Sequence, residues 1–154
     1  MKKTLFVLVL TFTTFVARNA LAQSKQIVNG TAFYPNQVCA KSNNGLYRLV
    51  YQGDGNLVLY NSANVGLWAS GPLQNGNLSS CDFAYFNIVI HRNGGSVLWS
   101  YSPPQHDATT AGSWVLQDDG NFVFYAVLNY AGGSYSVSTG TQGGKKSGNF
   151  GTFK

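Results

Sequence analysis

A nine-residue polar pattern occurs twice in this chain and constrains its fold more than any other feature. Residues 52–60 and 117–125 both read Gln-x-Asp-x-Asn-x-Val-x-Tyr, so five identical residues recur at alternate positions, 65 residues apart. In an extended strand, alternate side chains point to the same face, which would cluster these five side chains. The Asp-Gly step of the first copy favours a tight turn instead, with Gln52 ending one strand and Asn56 opening the next. We prefer this hairpin, which also brings the five side chains together and indicates a repeat architecture.

A third, degraded copy lies between the two motifs. Its five positions, aligned on the Asn, are Phe83, Tyr85, Asn87, Val89 and His91. Eight residues after the last motif position stands a tryptophan in the first two units, Trp68 and Trp99, which supports the alignment. Because aromatic residues replace the Gln and the Asp, we expect the middle unit to have lost the function of the other two.

The composition favours an all-β domain. Only 10% of the residues are charged, 18 are Gly, and Tyr and Phe together number 19, with no long stretch of helical periodicity. Turn signals such as Asn43-Asn44-Gly45 separate the candidate strands. These candidates are Tyr47–Gln52, Asn56–Tyr60, Leu67–Ser70, Ile88–His91, Val97–Tyr101, Ser113–Gln117, Asn121–Val127 and Tyr135–Thr139.

The doubled motif resembles the signature of the bulb-type, monocot mannose-binding lectin family. The resemblance implies a β-prism II fold, an all-β arrangement of three four-stranded antiparallel sheets with pseudo-threefold symmetry. It also implies two mannose sites that need no calcium, and a middle unit that does not bind mannose. An alternative stays open in which the motif is kept only as a stable hairpin, because a fold does not by itself imply a function.

The resemblance also implies a role for each motif residue. The sugar-binding residues of the first site would be Gln52, Asp54, Asn56, Val58 and Tyr60, and those of the second site Gln117, Asp119, Asn121, Val123 and Tyr125. The Gln would bond the 3-hydroxyl of mannose, the Asp and Asn the axial 2-hydroxyl, and the Tyr the 4-hydroxyl, while the Val packs on the ring carbons. An equatorial 2-hydroxyl, as in glucose, would leave the Asp and the Asn unpaired.

The first 22 residues predict a secretory signal peptide, which leaves residues 23–154 as a single lectin-like domain. Lys2 and Lys3 precede an apolar run from Leu5 to Val16, and Ala20-Leu21-Ala22 offers the small residues needed for cleavage. The run is shorter than the roughly 20 apolar residues of a membrane anchor. We therefore expect a secreted protein, extracellular or periplasmic, with no membrane span after cleavage.

The charge of the remaining chain argues against a nucleic-acid partner. The signal segment holds three of the ten basic residues, so its removal lowers the formal net charge from +5 to +2. Lys145, Lys146 and Lys154 then lie in the C-terminal tail, and no basic stripe remains elsewhere.

Two cysteines, Cys39 and Cys81, remain in an exported chain, which favours a disulfide between them. Two buried free thiols are the alternative. His91 and His106 have no partners at metal-ligand spacing, so neither a metal site nor a cofactor is expected.

No pattern of catalytic residues is present, and the protein is not expected to be an enzyme. The acidic residues are five aspartates, of which Asp118 and Asp119 are sequence neighbours rather than a facing acid and base. Two further hypotheses stay open: a lectin-like bacteriocin or defence protein, and a structural or inhibitor protein with vestigial sugar sites.

The Gly-rich tail after Thr139 often crosses to a partner subunit in related lectins, which suggests a homodimer; a frayed end is the alternative.

Overall fold

The structure is a computed structural model that describes residues 25–71, 77–104, 109–128, 133–147 and 151–154. The predicted signal peptide lies outside the described residues. Within them the chain forms twelve β-strands and one short 3-10 helix. No helix of this described part is long and apolar enough to cross a membrane.

The strands follow one another with short turns between most of them. They are β1 (Gln26–Ile27), β2 (Thr31–Phe33), β3 (Gln37–Lys41), β4 (Tyr47–Tyr51), β5 (Leu57–Asn61), β6 (Gly66–Ala69), β7 (Leu78–Ala84), β8 (Asn87–Arg92), β9 (Val97–Tyr101), β10 (Thr109–Leu116), β11 (Phe122–Leu128) and β12 (Ser134–Ser138), and the 3-10 helix is Gln142–Gly144.

Three four-stranded antiparallel sheets form the molecule, and all three are assembled in the same way. Sheet I has the order β3-β4-β5-β6, sheet II the order β2-β7-β8-β9, and sheet III the order β1-β10-β11-β12. Each sheet therefore takes one of the first three strands as its edge and adds three consecutive strands of one repeat unit. This is the all-β, pseudo-threefold β-prism that the resemblance implies.

The inward faces of the three sheets share one aromatic core. The residues between the motif positions point inward as predicted: Leu57, Leu59, Phe122 and Phe124 are completely buried. Of the three tryptophans, Trp68 and Trp114 are buried and Trp99 is half-buried against the same core. Strand alternation thus separates this core from the outward-facing polar residues of the motifs.

The C-terminal tail docks on its own chain. Gly151 N–H donates to the Ala69 carbonyl at 2.7 Å, and Lys154 and Ser138 exchange two backbone hydrogen bonds of 2.8 and 2.9 Å. Between them, Phe153 packs against the core, with ring centroids 4.3 Å from Tyr101 and 5.0 Å from Trp114. The described part of the tail is therefore docked rather than frayed in this structure, whereas its crossing to a partner and a homodimer stay predictions, which these contacts within one chain do not require.

The predicted disulfide is not formed. Cys39 and Cys81 are both free, buried thiols on different sheets, Cys39 at a bulge in β3 and Cys81 in β7. Burial raises the pKa of Cys39 to about 12 and that of Cys81 well above its ordinary value, so both thiols stay protonated. The prediction rested on cysteine number and compartment, neither of which says whether two side chains meet with disulfide geometry.

Candidate functional site

Both motifs form the same hairpin loop at the end of a strand. In the first, Gly55 N–H donates to the Gln52 carbonyl at 3.1 Å, and in the second, Gly120 N–H donates to the Gln117 carbonyl at 3.0 Å. β4 ends just before Gln52 and β5 begins just after Asn56, as the preferred hairpin predicts. The five motif side chains of each unit are thereby brought together at one end of a sheet.

The two glycines of these loops have no room for a side chain. Gly55 and Gly120 have φ angles of +88° and +86°, a region that glycine occupies without strain. A Cβ at Gly120 would also lie 2.4 Å from a ring carbon of Tyr47, and one at Gly55 would lie 3.0 Å from a methyl group of Leu78. Each loop is therefore packed tightly against a residue outside the motif.

One carboxylate oxygen of each motif Asp fixes the loop, and the other is left over. Asp54 Oδ1 accepts the backbone N–H of Asn56 at 3.0 Å, and Asp119 Oδ1 accepts that of Asn121 at 2.9 Å. These Asx-turn bonds orient the carboxylates. Within the described residues Oδ2 of each Asp has no hydrogen-bond partner, so it is available to accept a hydrogen bond from a ligand.

The orientation of each motif Asn is determined by the backbone around it. Asn121 Oδ1 accepts from the N–H groups of Gly140 and Thr141, at 3.0 and 3.2 Å, and from Thr139 Oγ1 at 3.2 Å. Backbone N–H groups only donate, so the atom facing them must be the carbonyl oxygen. The amide Nδ2 therefore points the other way and presents its protons towards the site. At 3% exposure, Asn121 lies at the floor of the second site.

The first site orients its Asn in the same way with fewer bonds. Asn56 Oδ1 accepts from Ser70 Oγ at 3.0 Å and from Gly71 N–H at 3.3 Å. Ser70 Oγ in turn accepts the N–H of Leu57 at 3.0 Å, which ties the Asn to the first residue of β5.

The motif Gln and Tyr are coupled in both sites. Gln52 Nε2 donates to Tyr60 Oη at 2.8 Å, and Gln117 Nε2 donates to Tyr125 Oη at 2.6 Å. Since the phenol oxygen accepts this bond, its own proton is free to be donated elsewhere, and the Gln oxygen Oε1 remains an acceptor. Each site thus offers two acceptors, on Asp and Gln, and two donors, on Asn and Tyr.

The motif valines contribute less surface than expected. Val58 and Val123 are 5% and 3% exposed, so each forms part of the floor between the polar groups rather than a wall. Only a small patch of either side chain is open to a ring lying above it.

Asparagines from neighbouring loops brace the two motif loops, and the sequence analysis missed them. Asn36 Oδ1 accepts the N–H of Gly53 at 2.9 Å, and the N–H of Asn44 donates to Asp118 Oδ1 at 3.0 Å. Asn36 has a φ angle of +70°. A turn Asn preceding a strand is a weak signal, and nothing local in the sequence indicates which loop it supports.

The middle unit has a different loop, which changes its alignment with the motif. β7 and β8 are joined by the two-residue turn Tyr85-Phe86, and Ala84 pairs with Asn87. In sheet I the corresponding pair is Gln52 and Asn56, whose backbone groups bond at 2.9 Å. Ala84 rather than Phe83 therefore occupies the Gln position, and Phe83 is a buried core residue.

The remaining polar residues of the middle unit pair differently. His91 Nε2 lies 3.2 Å from Asp82 Oδ2, so the residue at the Tyr position forms an ion pair when protonated. Tyr101 stands where Ser70 stands in sheet I, which leaves Asn87 Oδ1 buried with no hydrogen-bond partner in the described structure. The middle unit therefore lacks the donor and acceptor set of the other two. No group of three or more His, Cys, Asp or Glu residues in the described ranges is arranged to hold a metal ion.

Several solved structures that are similar to this one are lectins. The monomeric monocot mannose-binding lectin from Gastrodia elata is 26% identical and superposes with a TM-score of 0.59 over 77% of this chain and 99% of its own. The Polygonatum cyrtonema lectin, solved with a monomannoside, is 27% identical with a TM-score of 0.53 over 69% and 96%. The chain is a structural relative of the bulb-type lectins.

A further structure, of lower sequence identity, supports the fold alone. The Marasmius oreades lectin is 21% identical, with a TM-score of 0.60 over 78% of this chain and 93% of its own. No protein-family model matches the sequence, and no curated protein does. The relationship to the bulb-type lectins therefore rests on the three-dimensional fold together with the doubled motif.

Proposed function

We propose that this protein is a carbohydrate-binding lectin that recognises mannose and mannose-rich glycans through two sites. One observation carries the proposal: both motifs present the same oriented set of two donors and two acceptors, on different sheets with different supporting residues. A hairpin kept only for stability would have no reason to leave one acceptor on the Asp, one on the Gln and donors on the Asn and the Tyr unused in both places. The Gastrodia and Polygonatum lectins, whose structures are similar, are described as mannose-binding and as complexed with a monomannoside.

The proposed contacts follow from these orientations. The Asp and the Asn belong to one loop and are joined by an Asx-turn bond, so an Asp Oδ2 acceptor and an Asn Nδ2 donor suit one hydroxyl that both donates and accepts, which we take as the axial 2-hydroxyl. The Gln Oε1 acceptor would accept a hydrogen bond from the 3-hydroxyl, and the Tyr hydroxyl would donate one to the 4-hydroxyl. Glucose, with an equatorial 2-hydroxyl, would leave the buried Asn121 amide unpaired, which is costly.

The proposal extends to cofactors, secretion and partners. Because each site binds with side-chain and hydroxyl hydrogen bonds alone, no calcium or other cofactor is needed in this proposal. We also propose that the protein is not an enzyme and that it is secreted after cleavage of residues 1–22, so that it meets glycans on cell surfaces or polysaccharides. The proposal includes no nucleic-acid partner.

The experiment is titration calorimetry of residues 23–154 with a mannose-rich oligosaccharide. The variants are Asp54→Ala, Asp119→Ala and the double substitution, with Asp82→Ala as a matched control, because Asp82 lies in sheet II and its carboxylate pairs with His91 rather than with either motif loop. We expect each single variant to halve the stoichiometry, the double variant to abolish binding, and the control to bind at both sites. Absence of heat with the unmodified protein, together with no retention on mannan, would refute the proposal.

A further inference from the structure

The two sites differ in the residue that stands beside the motif tyrosine. In sheet I, Arg48 of β4 pairs with Tyr60 of β5, whereas in sheet III Ser113 of β10 pairs with Tyr125 of β11. The guanidinium carbon of Arg48 lies 5.1 Å from the centroid of the Tyr60 ring, within cation–π range. A cation therefore lies at the tyrosine end of the first site, and a small neutral hydroxyl lies at the same place in the second.

Hydrogen bonds hold the Arg48 side chain without neutralising it. Its Nη1 donates to the Asn61 carbonyl at 3.4 Å and its Nη2 donates to Asn64 Oδ1 at 2.5 Å. A guanidinium has five N–H donors, so three remain after these two bonds. Among the residues that the structure describes, the ion pair present is that of His91 and Asp82, and Arg48 has no carboxylate within salt-bridge distance.

We propose that the first site selects hexosides carrying an anionic group, which the spare N–H donors of Arg48 bind, while the second site takes neutral mannosides. The inference rests on the proposed function, since it assigns a finer specificity to one of its two sites. A planar guanidinium held in place suits the oxygens of a phosphate or a carboxylate, and its ring contact and two hydrogen bonds reduce the freedom lost on binding. The shared chemistry is an oxyanion attached to the sugar near its 4-hydroxyl end.

Single-site variants allow the two specificities to be measured separately. Asp119→Ala leaves only the first site and Asp54→Ala only the second, and each is titrated with mannose, mannose 6-phosphate and mannuronic acid. We expect at least one anionic sugar to bind the first site about tenfold more tightly than mannose, as one charge-assisted hydrogen-bonded contact would give. The second site should show no such gain, and the gain at the first should shrink as salt is raised from about 0.01 to 1 M.

Substitutions of Arg48 and of Ser113, which stand beside the motif tyrosines, test whether Arg48 causes the preference for anionic sugars. Arg48→Gln in the Asp119→Ala background should remove the anionic preference but keep mannose affinity within about twofold, and Arg48→Lys should keep part of the preference because it keeps the charge. Ser113→Arg in the Asp54→Ala background should transfer the preference to the second site. Melting temperatures of all variants confirm that the folded state is retained.

The outcomes separate this inference from the proposed function. A gain with the phosphate alone or with the uronic acid alone supports the inference and identifies the anion. Equal affinity of the first site for charged and neutral sugars would overturn it and leave mannose binding intact. An Arg48→Gln variant that weakens all sugars equally would also overturn it, since Arg48 would then only position Tyr60. Failure of every sugar at both sites would refute the proposed function and this inference with it.

Discussion

Replacing Phe153 by Ala should destabilise the whole fold, although the residue is second from the end of the chain. Its ring contacts Trp68, Tyr101 and Trp114 at centroid distances of 5.0, 4.3 and 5.0 Å, one residue after Thr152, whose carbonyl accepts the Trp68 indole N–H at 3.0 Å. Truncation of a buried Phe to Ala costs about 3–5 kcal/mol. Because Phe153 is only partly buried, we expect a loss of about 2–3 kcal/mol in the free energy of unfolding.

Urea unfolding followed by tryptophan fluorescence measures this loss directly, since two of the contacted rings are tryptophans. For a urea slope of about 2 kcal/mol per molar, the midpoint should fall by roughly 1–1.5 M. Thr152→Ala is the matched control, because the Thr152 side chain is exposed and its carbonyl remains in place. The control should unfold within about 0.5 kcal/mol of the unmodified protein, as surface substitutions generally do.

Two results would refute this reasoning. A Phe153→Ala variant as stable as the Thr152→Ala control would mean that the tail contributes nothing to the core. A midpoint that rises with protein concentration in the unmodified protein, but no longer does so in Phe153→Ala, would mean that the tail docks on another chain, because only an intermolecular contact makes stability depend on concentration.

Two further predictions concern the support of the sites and the buried thiols. Thr139→Val removes the acceptor of the Phe122 N–H and one donor to Asn121. We therefore expect a loss of about 1–3 kcal/mol in the free energy of unfolding and weaker mannose binding at the second site only. Thr139→Ser is the control, and a Thr139→Val variant with unchanged affinity at the second site would contradict the argument. The stability should also fall as pH rises above 9, because the unfolded chain releases the Cys39 proton at its ordinary pKa of 9.0 while the folded chain holds it up to about 12. Urea unfolding at pH 8, 9 and 10 tests this, and Cys39→Ala should reduce the fall without abolishing it, because the buried Cys81 thiol contributes a fall of the same sign; a stability that rises over that interval would contradict the assignment.

The hairpins and their buried residues were predictable because they depend on local periodicity. The motif alternation, with Leu57 and Phe122 between polar positions, correctly assigned one face to the core and one to the site. β7 was not predicted, and neither were the three short strands β1, β2 and β3. Each of these three is only two to five residues long and pairs with strands distant in sequence, so nothing within its own segment indicates which sheet it completes.

The middle unit shows how a loop length misleads an alignment made by residue identity. Matching Asn87 with Asn56 and counting back at alternate positions placed Phe83 at the Gln position. The turn at Tyr85 and Phe86 is shorter than the motif loop, with φ angles of +50° and +70°, so the strand before it is displaced by one residue. A one-residue displacement exchanges the two faces of a strand, which is why Phe83 lies in the core.

The supporting residues of the sites were missed although a signal for them exists. Ser70 and Thr139 each follow directly after the last strand of their unit and bond the motif Asn, while the middle unit has Tyr101 there. The hydroxyl and the Asn are far apart in sequence, and only strand pairing brings them together. The roles of the motif residues towards a sugar stay a prediction.

The assignment of the two motifs to different sheets limits the shapes of target that this protein would hold. A three-sided prism rests on a flat support with one side at a time, so the two sites, on sheets I and III, would not both lie against the same plane. A single molecule would instead link two separate glycan chains, or two particles, on either side of itself. Its proposed activity on cells would then be cross-linking and agglutination, which need both sites on one rigid body, and a variant with one working site would coat cells without clumping them.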